Sequence, residues 1–72
     1  MEYTIILDPD EEGIGYTVLV PALPGCITQG RTREEAIQRA KEAIAIYIES
    51  LEADGDPIPQ ETQPIEVLKV AV

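Results

Sequence analysis

Short runs of apolar and β-branched residues dominate the first part of the chain. Residues 3–7 (Tyr-Thr-Ile-Ile-Leu) and 16–20 (Tyr-Thr-Val-Leu-Val) flank an acidic segment, 8–13, that contains Pro and Gly. Two such runs separated by turn-forming residues predict two strands joined by a hairpin. Pro21 ends the second strand, because proline cannot donate a hydrogen bond to a ladder. Residues 26–29 then predict a short third strand.

The pattern changes to helical spacing after residue 31. Thr32, with Glu35 three residues later, matches a capping box, in which each side chain satisfies a free backbone N–H at the helix start. The apolar residues that recur at helical spacing are Ala36, Ile37, Ala40, Ala43, Ile44, Tyr47, Ile48 and Leu51. Gly55, directly after Asp54, is typical of the residue that ends a helix. The sequence therefore predicts one amphipathic helix.

Residues 65–72 (Ile-Glu-Val-Leu-Lys-Val-Ala-Val) predict a last apolar strand, after a proline-containing segment that stays extended. The order β-β-β-α-β with a right-handed crossover would place this strand beside the first and parallel to it. The prediction is an α+β fold: a four-stranded, mostly antiparallel sheet of order 3-2-1-4, with one helix on one face. Residues 1–72 are expected to form a single domain.

Both faces of the predicted sheet carry apolar residues. In the first strand Ile5 and Leu7 share one face, while Ile6 points to the other, and Leu19 opposes Val18 in the same way. One helix covers only one face, so the second face or an open strand edge predicts a protein partner or a homodimer. The alternative is that scattered exposed Ile and Leu residues are ordinary on protein surfaces.

The charge balance narrows the classes of partner. Fourteen acidic against five basic residues give a net charge of −9. Nucleic-acid binding depends on a basic face, so direct contact with DNA or RNA is not expected. An acidic surface suits a basic protein partner by electrostatic steering. The alternative is that the negative charge only keeps the protein soluble.

The single cysteine, Cys26, cannot form an internal disulfide and favours a reducing compartment. The chain does not start with a basic and then apolar signal sequence, and its apolar stretches are too short to span a bilayer. These features predict a cytoplasmic protein.

The sequence contains no complete catalytic or metal-binding motif. Without histidine, Cys26 lacks the usual partner of a thiolate nucleophile. Asp8 and Asp10 resemble the start of a calcium loop, but Leu19 stands where that loop needs glutamate. A metal-dependent nuclease would need converging acids such as Asp8, Glu34 and Glu35, and the last two are explained by the helix start. We expect no enzymatic activity, no cofactor and no metal, with the nuclease as the least favoured alternative.

Three segments in order carry a family resemblance. They are the second strand at 16–20, the loop 21–26 (Pro-Ala-Leu-Pro-Gly-Cys) and the helix start at 30–36 (Gly-Arg-Thr-Arg-Glu-Glu-Ala). Together they resemble the HicB family of antitoxins over nearly the whole chain. Gly30 is expected to permit a backbone turn into the helix, and loss of the Thr32 cap would cost about 1 kcal/mol.

The resemblance implies a partial ribonuclease-H-like fold without the nuclease carboxylates. HicA-like toxins are small, basic proteins that cleave messenger RNA with a histidine. HicB-like domains bind these toxins and cover their active site. Many members of the family also carry a C-terminal DNA-binding module. No such module is expected here, because the sequence stops at Val72, directly after the predicted last strand.

The function predicted from the sequence is therefore neutralisation of a HicA-type toxin by occlusion of its basic surface. The candidate contact residues are Asp8, Asp10, Glu11, Glu12, Leu23, Pro24, Gly25 and Ile27. The alternative for these residues is that the acids only solvate a turn and the loop only closes the sheet. The alternative function is that of an orphan, homo-oligomeric interaction protein without a toxin.

Overall fold

Three short strands precede one long helix in the computed structural model, which describes residues 1–72. The elements are β1 (Ile6–Pro9), β2 (Tyr16–Leu19), β3 (Ile27–Gly30) and α1 (Arg33–Asp54). The α+β class is confirmed. The first strand begins later than the apolar run 3–7 indicated, and the helix has the bounds that its caps predicted.

The sheet is antiparallel throughout, with the order β1-β2-β3. Leu7 in β1 pairs with Val18 in β2, which in turn pairs with Thr28 in β3. Because side chains alternate between the two faces of a strand, these three lie on one face. This is the face that α1 covers, since Val18 is fully buried against Ala36 of the helix.

Local signals set both ends of α1. The Glu35 N–H donates to Thr32 Oγ1 over 3.0 Å, so the N-cap is confirmed. The return bond of the capping box differs from expectation, because Glu35 Oε1 accepts from the Arg31 N–H and not from the Thr32 N–H. Gly55 ends the helix with φ 71°, and its N–H donates to the Glu52 carbonyl over 3.1 Å.

Small and aliphatic side chains form the core. One cluster joins Val18 to Ala36 and Ala40 of the helix, and a second joins Val20, Leu23 and Cys26 at the loop between β2 and β3. Burial of a Val or Leu side chain contributes about 1.5–3 kcal/mol. The alanines let the helix backbone lie close to the sheet.

The helix α1 does not combine the length and the hydropathy that a membrane-spanning helix needs.

Gly30 lies at the closest approach between sheet and helix. A Cβ at this position would lie 2.4 Å from Ala36 N and 2.6 Å from Ala36 Cα. Its φ is not in the left-handed region, whereas those of Gly13, Gly25 and Gly55 are. The turn from β3 into the helix therefore does not need a left-handed backbone at Gly30. Glycine is required because the first turn of α1 packs directly on its Cα.

The predicted fourth strand is wrong, and with it the strand order 3-2-1-4. Residues 65–72 belong to no strand, and the sheet has three strands. The reason lies where the returning chain meets the start of the sheet. Glu61 accepts two hydrogen bonds from Thr4, one from its N–H over 2.7 Å and one from its hydroxyl. The Tyr3 hydroxyl donates to the Pro59 carbonyl over 2.6 Å.

The Thr4 N–H is thus taken by a side chain and not by the backbone of the returning chain. Pro64 then precedes the apolar segment, and a proline cannot donate to a ladder. No backbone ladder forms between the returning chain and β1.

We predict that Gly30→Ala destabilises the protein by about 3 kcal/mol or more, because the added methyl group meets helix backbone and not a movable side chain. The measurement is urea denaturation at a fixed protein concentration. The control is Gln29→Ala, an exposed neighbour whose replacement should change the free energy of unfolding by less than about 0.5 kcal/mol. Equal stability of the two variants would contradict the close approach.

We predict that Glu61 makes the stability depend on pH. The hydroxyl and N–H of Thr4 lower the pKa of the Glu61 carboxyl below its ordinary 4.5. A carboxyl whose pKa is lower in the folded state stabilises the fold above its unfolded pKa, and this contribution is lost as the pH falls through the folded pKa.

The measurement is the free energy of unfolding of wild type and Glu61→Gln between neutral and acidic pH. Wild type should be the more stable above pH 4.5, and the difference should shrink as the pH falls below that value. Thr4→Val, which keeps the N–H but loses the hydroxyl, should retain part of the pH dependence. A difference that does not change with pH would refute this role of Glu61.

Candidate functional site

The sheet face opposite the helix, here called the open face, carries a row of apolar side chains. Ile6, Leu19 and Ile27 lie side by side across the three strands, because Ile6 pairs with Leu19 and Leu19 pairs with Ile27. Leu19 is 36% exposed and Ile27 is 60% exposed, while Ile6 is half-buried. No element of the chain covers this row. It is a continuous apolar strip of the kind that binding surfaces present.

The next row of the open face is polar and contains an acid. Asp8 pairs with Thr17, and Thr17 pairs with Gln29, so these three side chains cross the sheet parallel to the apolar row. All three are exposed. The open face thus changes from apolar to acidic along the strands, towards the hairpin that joins β1 to β2.

The hairpin itself, residues 10–15, continues the acidic surface. Asp10, Glu11 and Glu12 are all exposed. Asp10 also shapes the turn, because its carbonyl accepts from the Gly13 N–H over 2.9 Å and its Oδ1 accepts from the Glu12 N–H over 3.4 Å. The other two carboxylates make no hydrogen bond within the chain. The carboxylates of Glu11 and Glu12 are therefore available to bind a partner.

Two arginines limit the extent of the acidic surface. Arg31 and Arg39 line a polar groove at the helix start together with Asp8 and Asp10. The local charge on the helix side of the hairpin is therefore partly balanced. The three strands and the hairpin themselves contain no basic residue, since the first basic residue of the chain is Arg31. Glu12 is the hairpin acid that does not line this groove.

The structure divides the predicted contact residues among three places. Asp8 and Ile27 share the open face, and the acids of the hairpin adjoin it. Leu23 is fully buried between Val20 and Cys26, so its side chain belongs to the core. The loop that holds it lies at the opposite end of the sheet from the hairpin.

The exposed part of that loop is a rigid corner. Pro24 and Gly25 are at the surface, with Gly25 at φ 79°, and the Pro24 carbonyl accepts from the Tyr47 hydroxyl over 2.8 Å. The loop therefore ties β3 to the helix and brings Ile27 to the open face.

Two residues of the open face, Ile6 and Leu19, were missing from the predicted contacts. The sequence did indicate that both are exposed on the open face, because each lies next to a core residue in its strand and so points to the opposite face of the sheet. The alignment that brings them together with Ile27 depends on the hairpin and loop lengths. Sequence parity alone does not give that alignment.

The thiol of Cys26 is a structural group. Burial raises the pKa of this thiol above its ordinary value, because the charged thiolate is costly in an apolar environment. The thiol is free and packs with Val20 and Leu23. No three Asp, Glu or Cys side chains of the chain gather closely enough to hold a metal ion. The converging acids that the nuclease alternative needs are not brought together.

Nearly the whole chain is similar to known proteins. Residues 3–71 match the family model described as the HicB-like antitoxin of bacterial toxin–antitoxin systems. A UPF0150 protein of Thermoplasma acidophilum is 54% identical over 61 residues, which cover 85% of this chain and 87% of that protein. A UPF0150 protein of Synechocystis is 46% identical over 70 residues, with 97% and 87% covered.

One relative carries a functional name. Antitoxin HicB 1 of Photorhabdus laumondii is 44% identical over 59 residues, which cover 82% of this chain but 37% of that longer protein. The family match spans all three strands, the helix and most of the segment that follows. The chain belongs to the HicB-like antitoxin family of bacterial toxin–antitoxin systems.

Proposed function

We propose that residues 1–72 act as one non-catalytic binding domain, which neutralises a HicA-type, messenger-RNA-cleaving toxin by covering its basic active-site surface. Membership of the antitoxin family supports a role in a toxin–antitoxin system. The observation that carries the proposal is the open face, where an exposed apolar row runs into an acidic hairpin with no basic side chain between them.

Electrostatics favours a basic partner for this surface. Residues 1–30 contain five acidic residues and no basic residue. A concentrated negative charge speeds the encounter with a positively charged protein and opposes binding to phosphate backbones. A protein that binds RNA presents such a basic surface. The acidic hairpin therefore suits the RNA-binding face of a ribonuclease toxin.

The apolar row supplies the hydrophobic contact area that charge alone does not provide. Stable protein interfaces place apolar side chains at a dry centre and polar groups at the rim. Leu19 lies at the middle of the row, between Ile6 and Ile27, and Asp8 lies one row away. In this proposal the row forms the centre of the contact. The acids of the hairpin form one side of its rim.

The remaining candidate residues take supporting positions. Pro24 and Gly25 are exposed at the end of the sheet beside Ile27, where they would extend the contact past the apolar row. Leu23 would act from within the core by holding the loop in place.

We also propose that the chain works in the cytoplasm, where the messenger RNA cut by such a toxin is found, and that it does not bind nucleic acid itself. Self-association is a second part of the proposal. It is supported by exposed apolar residues outside the open face, among them Leu68 and Val70. This self-association does not depend on a toxin. It therefore also applies to the alternative function, that of an orphan, homo-oligomeric protein.

We predict that neutralising the hairpin weakens toxin binding. The variant Asp10→Asn, Glu11→Gln and Glu12→Gln should raise the Kd for a purified HicA-type toxin at least tenfold at physiological salt, a loss of about 1.4 kcal/mol. Added salt should shrink this effect, because screening weakens the attraction already present in wild type. The measurement is titration calorimetry, with inhibition of RNA cleavage by the toxin as a second readout.

The matched control removes three charges from the helix, with Glu42→Gln, Glu49→Gln and Glu52→Gln. These side chains are exposed, and the net charge changes by the same amount. The control should change the Kd by less than about threefold, because at physiological salt the field of a surface charge falls off within a Debye length of about 8 Å. If both variants weaken binding equally, only net charge matters and the proposed surface is wrong.

A further inference from the structure

The outer edge of β3, on the side away from β2, carries backbone groups without partners. The Val20 N–H donates to the Cys26 carbonyl over 3.2 Å, which places Cys26, and with it Thr28, in the hydrogen-bonded pairs with β2. Because successive residues of a strand point their backbone groups in opposite directions, Ile27 and Gln29 point theirs outwards. No strand pairs with this edge, and no loop or side chain of the chain forms a hydrogen bond with it.

An apolar groove runs along this edge, between β3 and the second half of α1. Ile46 is 63% exposed on the helix side of the groove, and Ile27 lies on the strand side. The volume of the groove is about 410 Å³. Free backbone groups and apolar side chains therefore lie side by side, and these are the two features with which a sheet edge binds an added strand. The side chains that define the groove are Ile27, Ala43, Ile46, Tyr47, Leu51 and Asp54.

The loop before β3 holds the groove in shape. The Tyr47 hydroxyl donates to the Pro24 carbonyl over 2.8 Å, and Leu23 and Cys26 are buried in the core. The strand edge and the helix are thus tied to each other in the unbound chain. A preformed site loses little conformational entropy when it binds.

A strand added to this edge would place its side chains alternately on two surfaces. The residue opposite Ile27 would lie on the open face, where it would lengthen the apolar row. The residues on either side of it would turn towards the helix, into the groove beside Ile46 and Tyr47. The Gln29 end of the edge adjoins the polar groove at the helix start. The geometry therefore suits a segment that is apolar on both faces opposite Ile27 and polar further along.

Continuity with the open face favours the toxin as the source of this segment. Ile27 belongs both to the apolar row and to the groove, so the two surfaces meet at its side chain. A protein that covers the apolar row would reach the β3 edge without a gap. The acids of the helix control, Glu42, Glu49 and Glu52, do not line the groove.

Charge indicates what else the segment carries. Asp54 lines the groove, which contains no basic residue. The last turn of α1 has no basic residue either, so the negative end of the helix dipole lacks a cation. A lysine or arginine side chain of a partner would be stabilised here. The C-terminal tail of the chain itself, residues 65–72, is apolar but contains one acid and one base, so a second copy brings no excess of positive charge.

We propose that the basic protein partner adds an extended segment to the free edge of β3, with apolar side chains in the groove and a basic residue beside Asp54. The sheet would then continue from one molecule into the other. The strand addition rests on the proposed function and deepens it, because it names the kind of segment that the toxin contributes and a second surface that binds it.

The first test compares two substitutions by titration calorimetry with a purified HicA-type toxin. Ile46→Asp places a carboxylate in the groove and should raise the Kd at least tenfold, although added negative charge by itself attracts a basic protein. The matched control, Ala45→Asp, places the same charge on the neighbouring helix residue, which is exposed and does not line the groove. It should leave the Kd within about threefold of wild type.

The second test uses the wild-type chain. In a complex of the ¹⁵N-labelled chain with ¹³C-labelled toxin, the amides of Ile27 and Gln29 should show scalar couplings across hydrogen bonds to carbonyl carbons of the toxin. Their exchange with solvent should slow at least tenfold relative to the free chain. The Leu7 amide, which points outwards at the opposite edge of the sheet, should keep its exchange rate.

The other outcomes separate this inference from the proposed function. If the hairpin variant weakens toxin binding, but Ile46→Asp binds like Ala45→Asp and the two β3 amides show no couplings, the strand addition is overturned and the proposed function stands. If wild type does not bind the toxin, both are overturned. Protection of the same amides in the free chain at high concentration would show that a second copy occupies the edge, and would also overturn the strand addition.

Discussion

The close packing of one helix on one side of a small sheet is the constraint that the rest of the structure depends on. Gly30 lets the first turn of α1 lie against β3, and Ala36 and Ala40 bury Val18 beneath the helix. With three strands and one helix, there is a single covered face. The apolar residues on the other parity of the strands are therefore not covered by the helix, and this follows from the number of elements and not from any special residue.

The open face and the distribution of charge both support the proposed binding of a basic protein. In the proposed function, the exposed apolar row centred on Leu19 is buried against the partner, and the acids from Asp8 to Glu12 favour a partner of positive charge. The basic residues of the chain lie at the helix start, within the helix and in the tail. Membership of the HicB-like antitoxin family fits this proposed binding role.

Local signals in the sequence predicted most of the fold, and long-range alignment explains what they missed. The helix bounds followed from Thr32 and Gly55, because caps act within a few residues. The prediction of a last strand was wrong, because its pairing depends on the contact between Glu61 and Thr4, which lie far apart in the sequence. At the candidate site, parity indicated a second apolar face. It could not show that the loop turns Leu23 into the core and leaves Ile27 exposed.

The central claim is that the sheet face opposite the helix is the surface that binds the toxin. The most direct measurement is cross-saturation NMR, in which an unlabelled toxin transfers saturation to Ile and Leu methyl groups of the labelled chain. We expect strong loss of signal at Ile6, Leu19 and Ile27, and little at Ile48 on the helix. Loss of signal at the helix methyl groups, with the three strand residues unaffected, would contradict it.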